Sequence, residues 1–174
     1  MYSEIMLTDL VQIRRMGEKK LDENKRFRAH LKRHSFVERR LKHIAREIED
    51  QTDCKLCANC CRVATVSVTE RDLERLGKFL GMKPVHVLRD YTEVSEEEGH
   101  ILKRGESGCV FLEGNLCSVY DARPGTCADF PHLIHGAGSF LSRMWKMADR
   151  ACYCPIVYNS LEEFKREVGF HASV

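Results

Sequence analysis

Apolar residues recur at helical spacing through most of the first fifty positions. The members of this pattern are Leu7, Leu10, Val11, Leu21, Phe27, Leu31, Leu41, Ile44, Ala45 and Ile48. Because no proline interrupts them, the period predicts helix over about residues 4–50. Gly17 and the polar residues 22–24 predict a division into two helices, and Ser35 marks a further weak point.

Helix boundary signals are clearest in the middle of the chain. Thr69, with Asp72 three residues later, has the form of a capping box, so a helix is expected over about residues 70–80. Gly81 closes this helix. Pro84 can open a second short helix, because proline is tolerated in a first helical turn.

Short strands are expected around these helices. Alternation and β-branched residues predict strands at residues 62–68, 100–104 and 109–112. The segment 116–119 follows the last of these after a glycine-containing turn, which predicts a small hairpin. In that hairpin Cys109 and Cys117 would lie across from one another.

The C-terminal part of the chain returns to helical patterns. Residues 139–150 have apolar members at helical spacing and predict one helix. Ser160 and Glu163 form a second capping-box pattern, so a last helix is expected over residues 161–168, ended by Gly169.

Composition bounds the size and the class of the protein. The 174 residues are enough for one domain, or one domain with an appendage, and 43% of them are hydrophobic. The net charge is only +2, which does not favour a nucleic-acid binder. No apolar run approaches the ~20 residues of a membrane span, and the N-terminus lacks the basic start of a signal peptide. A reducing, cytoplasmic location is therefore expected.

Charge is unevenly distributed along the chain. Residues 1–50 carry 13 Lys and Arg against 9 Asp and Glu, whereas residues 51–174 carry 15 against 17. We interpret the first segment as a basic helical N-terminal arm and the second as a cysteine-cluster domain. The basic residues fit a solvated helix face, and a contact with nucleic acid or with an acidic partner protein is the alternative.

Cysteines give the strongest chemical signal. The run Cys54-x2-Cys57-x2-Cys60-Cys61 places four of the nine cysteines within eight residues. An odd number of cysteines in a reducing compartment argues against a disulfide framework and favours metal ligation. The spacing is that of an iron–sulfur cluster loop, for which Cys154, followed by Pro155, is a candidate distal ligand. A four-cysteine zinc site fits the same spacing.

The dipeptide Cys60-Cys61 bears on the number of metal sites. Adjacent residues of extended backbone point to opposite sides, so these two thiols would face different sites. Nine thiols are enough for two four-coordinate sites. The alternative is one site, with the remaining cysteines packed as small apolar residues.

An ordered set of motifs extends beyond the first cysteine run. Its members are Cys54-x2-Cys57-x2-Cys60-Cys61, Thr69-Glu-Arg-Asp72, Gly108-Cys109-Val-Phe-Leu112, Cys117-Ser-Val-Tyr120, Arg123-Pro124, Cys127 and Phe130-Pro131. Over about residues 50–156 this set resembles the CxxCxxCC cysteine-cluster family, the YkgJ-type proteins described as zinc- or iron-chelating, or iron–sulfur, proteins. The flagellin lysine N-methylases are similar in the same cysteine cluster.

The resemblance implies a set of metal ligands. They are Cys54, Cys57, Cys60, Cys61, Cys109, Cys117, Cys127 and a C-terminal cysteine. The last ligand is either Cys152 or Cys154, and the following proline favours Cys154. The predicted elements together indicate a mainly helical α+β fold, with a helical N-terminal arm and a small cysteine-rich core of short strands and a hairpin organised around metal.

Arg123 is a candidate cofactor-binding residue. Its permanently charged guanidinium forks five donors and could neutralise a thiolate-rich centre. An ordinary salt bridge with Asp121 or Asp129 is the alternative. His132 and His135 are weaker ligand candidates, because cysteine is in surplus.

The leading functional hypothesis is a cysteine-ligated iron–sulfur centre, of the 4Fe–4S type, with a redox or electron-transfer role. Zinc is the alternative metal, and a zinc-stabilised interaction module that binds a partner through the basic arm is the alternative function. A protein-lysine methyltransferase-like enzyme is a third hypothesis. The chain has no dinucleotide-binding or phosphate-loop motif.

Overall fold

The chain is mainly helical, with short antiparallel strand pairs. A computed structural model describes residues 6–136 and 138–171. Its helices are α1 (Leu10–Lys19), α2 (Leu21–Arg33), α3 (Glu38–Asp50), α4 (Cys54–Cys57), α5 (Asn59–Val63), α6 (Glu70–Leu80), α7 (Pro84–Tyr91), α8 (Gly125–Ala128), α9 (Phe140–Arg150) and α10 (Pro155–Glu167), with a 3-10 turn at Tyr120–Ala122. The predicted α+β class is confirmed.

The strands form three separate two-stranded antiparallel pairs. They are β1 (Thr92–Ser95) with β2 (Gly99–Leu102), β3 (Arg104–Gly105) with β4 (Gly108–Cys109), and β5 (Leu112–Glu113) with β6 (Leu116–Cys117). Two-residue strands contribute few ladder hydrogen bonds, so the segments that carry them depend on other contacts for their position.

Backbone contacts divide the chain into two compact units. Residues 1–53 and 131–174 form the first unit, and residues 54–130 form the second. The predicted boundary at residue 50 lies close to the start of the second unit. The independence of a helical arm from a metal-binding domain stays a prediction.

Three helices occupy the described part of the predicted N-terminal helical region. The predicted weak point at Ser35 is confirmed, because residues 34–37 separate α2 from α3. The other break lies at Lys20. Gly17 is inside α1, where a Cβ atom would lie 2.5 Å from the Cα atom of Cys152, so close packing explains this glycine. Residues 22–24 lie in the first turn of α2, where acidic side chains stabilise the helix by interacting with the positive end of its dipole. Residues 4 and 5 lie outside the described residues.

Of the two C-terminal helices, the first begins where it was predicted and the second begins earlier. The helix expected over residues 139–150 is confirmed as α9, which Ser139 caps by accepting from the amide of Ser142 at 3.3 Å. The capping box at Ser160 is wrong. Pro155 already opens α10 in its first turn, and Ser160 is a fully buried residue inside that helix.

The first unit has an aromatic core with a buried charge beside it. The ring of Phe164 lies edge-on to Phe27 and Phe140, with centroid distances of 5.9 and 6.3 Å. Lys165 is 3% exposed, and its ammonium donates to carboxylate oxygens of Glu23 and Glu162 at 2.6 Å each. These contacts join α2 to α10.

Local sequence signals set the boundaries of α6 and α7 in the second unit. The predicted capping box is confirmed, because the Thr69 amide donates to the Asp72 carboxylate at 2.9 Å and the Asp72 amide donates to the Thr69 hydroxyl. Helix α6 ends at Gly81 in the left-handed conformation, and Pro84 lies in the first turn of α7. Apolar residues of these helices pack with those of the following strands. The buried cluster consists of Val66, Leu73, Leu76, Val87, Leu102, Phe111, Val119 and Ala122.

Two strand predictions are wrong in this unit. Residues 62 and 63 complete α5, and within the predicted strand 62–68 only Ser67 forms an isolated bridge, to Ile101. The predicted hairpin is also different. Cys109 pairs with Arg104 in β3–β4, whereas Cys117 pairs with Leu112 in β5–β6, so the two cysteines are not cross-strand partners.

In the described ranges 6–136 and 138–171, no helix has both the length and the apolar character that crossing a membrane requires.

Candidate metal centre

The first cysteine run forms two short helical turns joined by a left-handed residue. Cys54 and Cys57 bound α4, and the amide of Ala58 donates to the carbonyl of Cys54 at 2.9 Å. Ala58 has φ 46° and ψ 15°, a conformation that reverses the chain before α5. A non-glycine residue adopts it at some energetic cost, which the surrounding contacts must offset.

Cys60 and Cys61 follow in α5. They do not lie in extended backbone, and the thiol of Cys60 hydrogen-bonds to the sulfur of Cys61. The predicted arrangement, in which neighbouring thiols face opposite sides, is therefore wrong. The number of metal sites stays a prediction without that support.

Cys109 is held against the backbone of α5. The preceding residue, Gly108, has φ 122°, and a Cβ atom there would lie 2.7 Å from the carbonyl oxygen of Cys61. Only glycine allows this approach. The backbone amide of Phe111 donates to the sulfur of Cys109, which favours the thiolate form.

Cys117 ends β6 and has a similar local partner. The amide of Val119 donates to its sulfur. Cys109 and Cys117 each accept from the amide two residues later, and both pack on the edge of the buried apolar cluster. Sulfur-directed amides of this kind stabilise charge on a metal-bound thiolate.

Cys127 lies on α8, and buried polar contacts fix the start of that helix. The amide of Gly125 donates to the Asp72 carboxylate at 2.9 Å, and the hydroxyl of Thr126 donates to the carbonyl of Ser67 at 3.2 Å. Asp72 therefore caps α6 and also positions the turn that carries Cys127.

Four of the predicted ligands are mutual neighbours. Burial raises the pKa of Cys127 to about 12, and the charges of Cys109, Cys61 and Cys117 act in the same direction. Burial likewise raises the pKa of Cys109 and of Cys117. In contrast, the hydrogen bond from Cys60 lowers the pKa of Cys61 to about 6, with help from Arg62 and Arg104.

Arginine side chains surround this group. The guanidinium carbon of Arg123 lies 3.9 Å from the ring centroid of Tyr120. Its charge also lowers the pKa of Cys117 and of Cys127, against the larger raising effect of burial. Arg123 is thus near two of the predicted ligands, and its role in binding a cofactor stays a prediction.

The last two cysteines belong to the first unit. Cys154 is buried and directly precedes α10, so the proline after it has a structural role as a helix start. The thiol of Cys152 donates to the carbonyl of Ala148 at 3.7 Å. Burial raises the pKa of Cys152 to about 11, with smaller effects of Asp149 and Glu18. The ligand role of Cys154 stays a prediction.

The donor set fits a soft metal. The chain has nine cysteines, and thiolate sulfur is a ligand that zinc and iron–sulfur clusters accept. Within the described part of the chain, no three His, Cys, Asp or Glu side chains are already arranged to hold a metal ion. Metal binding therefore requires these neighbouring thiols to lose their protons and turn toward a common point.

Sequence reasoning missed the polar residues that position the cysteine segments. Arg62 donates to the carbonyls of Cys57 and Gly114, and Arg104 donates to the carbonyl of Ala64. Asn115 donates to the carbonyl of Leu56. The positions of Arg62 and Arg104, close in sequence to Cys61 and Cys109, are the signal that could have found them.

Comparison with protein families finds a match over more than half of the chain, whereas comparison with curated proteins and with solved structures finds none. The matching family model is CxxCxxCC, described as a "putative zinc- or iron-chelating domain", and it covers residues 53–155. Those residues contain the first cysteine run, both hairpin cysteines and Cys127. The chain belongs to the CxxCxxCC family of zinc- or iron-chelating domains.

Proposed function

We propose that this protein carries a cysteine-ligated iron–sulfur centre, of the 4Fe–4S type, with a redox or electron-transfer role. The family description supports chelation of zinc or iron. The observation that carries the proposal is the packing of Gly108, next to Cys109, on the backbone of Cys61, where the charges of Cys61, Cys109 and Cys117 also act on the pKa of Cys127. The proposed ligands in this unit are Cys54, Cys57, Cys60, Cys61, Cys109, Cys117 and Cys127.

Hydrogen bonds and charge around the thiols suit a redox cluster. Amide donors to sulfur, and cations near the ligands, stabilise the added negative charge when a cluster is reduced. Phe111 and Val119 supply such amides, and Arg123 supplies a nearby cation. A bound cluster would supply one-electron chemistry, and these protein groups would set its potential.

Metal analysis after anaerobic purification tests the proposal directly. We expect iron and acid-labile sulfide in stoichiometric amounts, together with broad visible absorption. Colourless protein with stoichiometric zinc would reject the redox function and support the structural alternative. The variant Cys61→Ser should lose the iron, whereas R71Q, at an exposed position of α6 in the same unit, is the control and should keep it.

A basic groove in the first unit favours a second candidate function, a metal-stabilised interaction module. The groove has a volume of about 790 Å³ and is lined by Arg39, Arg40, His43, Arg46, Glu163, Arg166 and Glu167. Four guanidinium groups outnumber two carboxylates there. Arg40 pairs with Glu167 at 3.1 Å, and Arg166 pairs with Glu163 at 2.6 Å. The mixture of charges suits an acidic protein segment better than the uniformly negative backbone of a nucleic acid.

Binding to polyglutamate, measured by fluorescence anisotropy at several salt concentrations, tests this second candidate. We expect the double variant R39Q/R46Q to bind more weakly than the native protein. The control R14Q/K25Q removes the same charge from exposed positions outside the groove. Equal loss in both variants would mean that net charge alone is responsible.

A cytoplasmic location is part of the proposal. A chain with nine cysteines suits a compartment whose glutathione and thioredoxin systems keep cysteine reduced. The methyltransferase alternative stays a prediction on which none of these contacts bears.

A further inference from the structure

The cysteine run and the two hairpins are joined by polar side chains that are not themselves ligands. Arg104 lies opposite Cys109 in the β3–β4 pair. Its guanidinium donates to the carbonyl of Ala64 at 2.6 Å and also to the carbonyl of Arg62, both at the C-terminal end of α5. Arg104 therefore connects the hairpin of Cys109 to the helix that carries Cys60 and Cys61.

Arg62 makes the corresponding connection to the other hairpin. It donates to the carbonyl of Cys57 at 3.2 Å and to the carbonyl of Gly114 at 2.9 Å. It also donates to the side-chain oxygen of Asn115. The amide group of Asn115 in turn donates to the carbonyl of Leu56 at 2.9 Å. These bonds connect the Cys54–Cys57 turn to the loop that leads into β6.

We propose that Arg62, Arg104 and Asn115 form a clamp that positions the cysteine run against Cys109 and Cys117, so that the thiols can converge on one metal centre. The proposal rests on the proposed function and assigns these three side chains a positioning role in it. The guanidinium fork is essential, because each arginine must reach two acceptors at once. Short two-residue strands give the hairpins little other support.

The fork requirement separates the clamp from simple charge compensation. A lysine at position 62 or 104 keeps the positive charge near the thiols but presents a single ammonium. Its one nitrogen lacks the spread of the planar fork, in which two separate nitrogens reach two carbonyls in parallel. The variants R62K and R104K should therefore behave like R62Q and R104Q if geometry matters, and like the native protein if charge alone matters.

Cobalt(II) titration of the full-length, metal-free protein under anaerobic conditions provides the first measurement. The thiolate-to-cobalt charge-transfer band reports thiol ligation without requiring an iron–sulfur cluster. We expect R62K and R104K to bind cobalt about 10–100-fold more weakly than the native protein, as residues that orient metal ligands typically do. R71Q, an exposed position of α6 in the same unit, is the control and should match the native affinity.

Alkylation of the metal-free protein with iodoacetamide, followed by peptide mass spectrometry, provides a second measurement that does not involve metal. Cys57, Cys60 and Cys61 should react faster in R62K and R104K than in the native protein, because the loosened segment exposes them. N115A changes no charge, and it should likewise weaken cobalt binding and speed alkylation. It tests the clamp independently in case an arginine variant does not fold.

The two measurements distinguish the clamp from the metal proposal. Cobalt binding without cluster assembly would reject the iron–sulfur function and leave the clamp supported. Absence of cobalt binding by the native protein would reject the metal centre, and alkylation would then decide the clamp. Native affinity and native alkylation rates in R62K and R104K would overturn the clamp.

Discussion

Gly108 shows how one residue can control the approach of two cysteine segments. Its left-handed φ of 122° and the absence of a side chain allow β4 to lie directly on the backbone of Cys61. The sequence motif Gly108-Cys109 contains this residue but does not reveal what it contacts. The contact partner lies 47 positions earlier, so only the folded chain discloses the reason for glycine.

Replacement of Gly108 by alanine is expected to destabilise the second unit. The added methyl would meet the carbonyl of Cys61 at 2.7 Å in an unfavourable backbone conformation, at a cost of roughly 1–3 kcal/mol. Urea unfolding would measure the loss. The control is G105A, its partner in the β3–β4 pair, where a Cβ has no neighbour within 4 Å and the change should stay within about 0.5 kcal/mol. Equal effects of the two substitutions would contradict the close-contact explanation.

The pKa of Asp72 predicts the direction in which the stability of the protein changes with pH. Burial opposes its ionisation, but hydrogen bonds from Thr69 and Gly125 and the charge of Arg75 outweigh burial and lower the pKa of its carboxyl. A carboxylate whose pKa is lower in the folded state contributes stability above its unfolded pKa. That contribution is lost as the pH falls through the folded pKa.

The variant D72N should therefore be less stable than the native protein at neutral pH, by roughly 1–3 kcal/mol, because buried amide donors lose a charged acceptor. The difference should shrink as the pH falls below the folded pKa. Unfolding curves recorded between neutral and acidic pH measure it. E70Q, an exposed acid in the same first turn, should show a much smaller difference. A gap between native and D72N that is independent of pH would contradict the assignment.

At the scale of elements, α10 illustrates how tertiary contacts override a local start signal. Ser160 and Glu163 have the spacing of a capping box, yet the helix begins at Pro155 and continues through both. The additional turn before Ser160 buries Pro155, Ile156, Val157 and Tyr158. The local hydrogen bond of a cap is worth only about 1 kcal/mol, so burial decides the boundary.

The contact between α2 and α10 contains a buried charge whose removal should be costly. Replacing Lys165 by methionine keeps most of the side-chain volume but removes the buried ammonium that Glu23 and Glu162 share, so that Lys20 remains beside both carboxylates. We expect a loss on the order of 2 kcal/mol in the free energy of unfolding, as for a hydrogen bond to a charged group. Thermal unfolding followed by the fluorescence of Trp145, in the same unit, would measure it.

The matched control for this substitution is K25M. Lys25 also pairs with an acid, Asp22 at 2.8 Å, but both side chains are mostly exposed. Exposed ion pairs contribute little, so K25M should be nearly neutral. If K165M were as mild as K25M, the buried charge network would not be a source of stability.

At the scale of the whole molecule, metal-dependent stability is expected to be local. The second unit holds the proposed ligands on short turns and two-residue strands, whereas the first unit has an aromatic core of its own. Metal removal should therefore raise amide hydrogen exchange in residues 104–117 far more than in α3 or α10. Mass spectrometry of exchange with and without a chelator measures this. A uniform rise throughout the chain would contradict a local effect of metal.

Much of the chemistry and many element boundaries could be predicted from the sequence, because they depend on neighbouring residues. The Thr69–Asp72 cap, the Gly81 stop and the Pro84 start are local hydrogen-bond and backbone preferences, and all three are confirmed. The cysteine spacing gave zinc or iron chelation, which the family model supports. Thiolate chemistry is a property of the residue itself, so no fold is needed to infer it.

Other features depended on contacts between distant residues, and only the tertiary structure decided them. Cys109 lies opposite Arg104 in one strand pair, and Cys117 lies opposite Leu112 in another. The strand register therefore places the two cysteines in different hairpins. The first two residues of the strand predicted at 62–68 are helical, and from there Arg62 reaches two separate carbonyls. Sequence determined which atoms can bind a metal, and tertiary hydrogen bonds determined which of them are brought together.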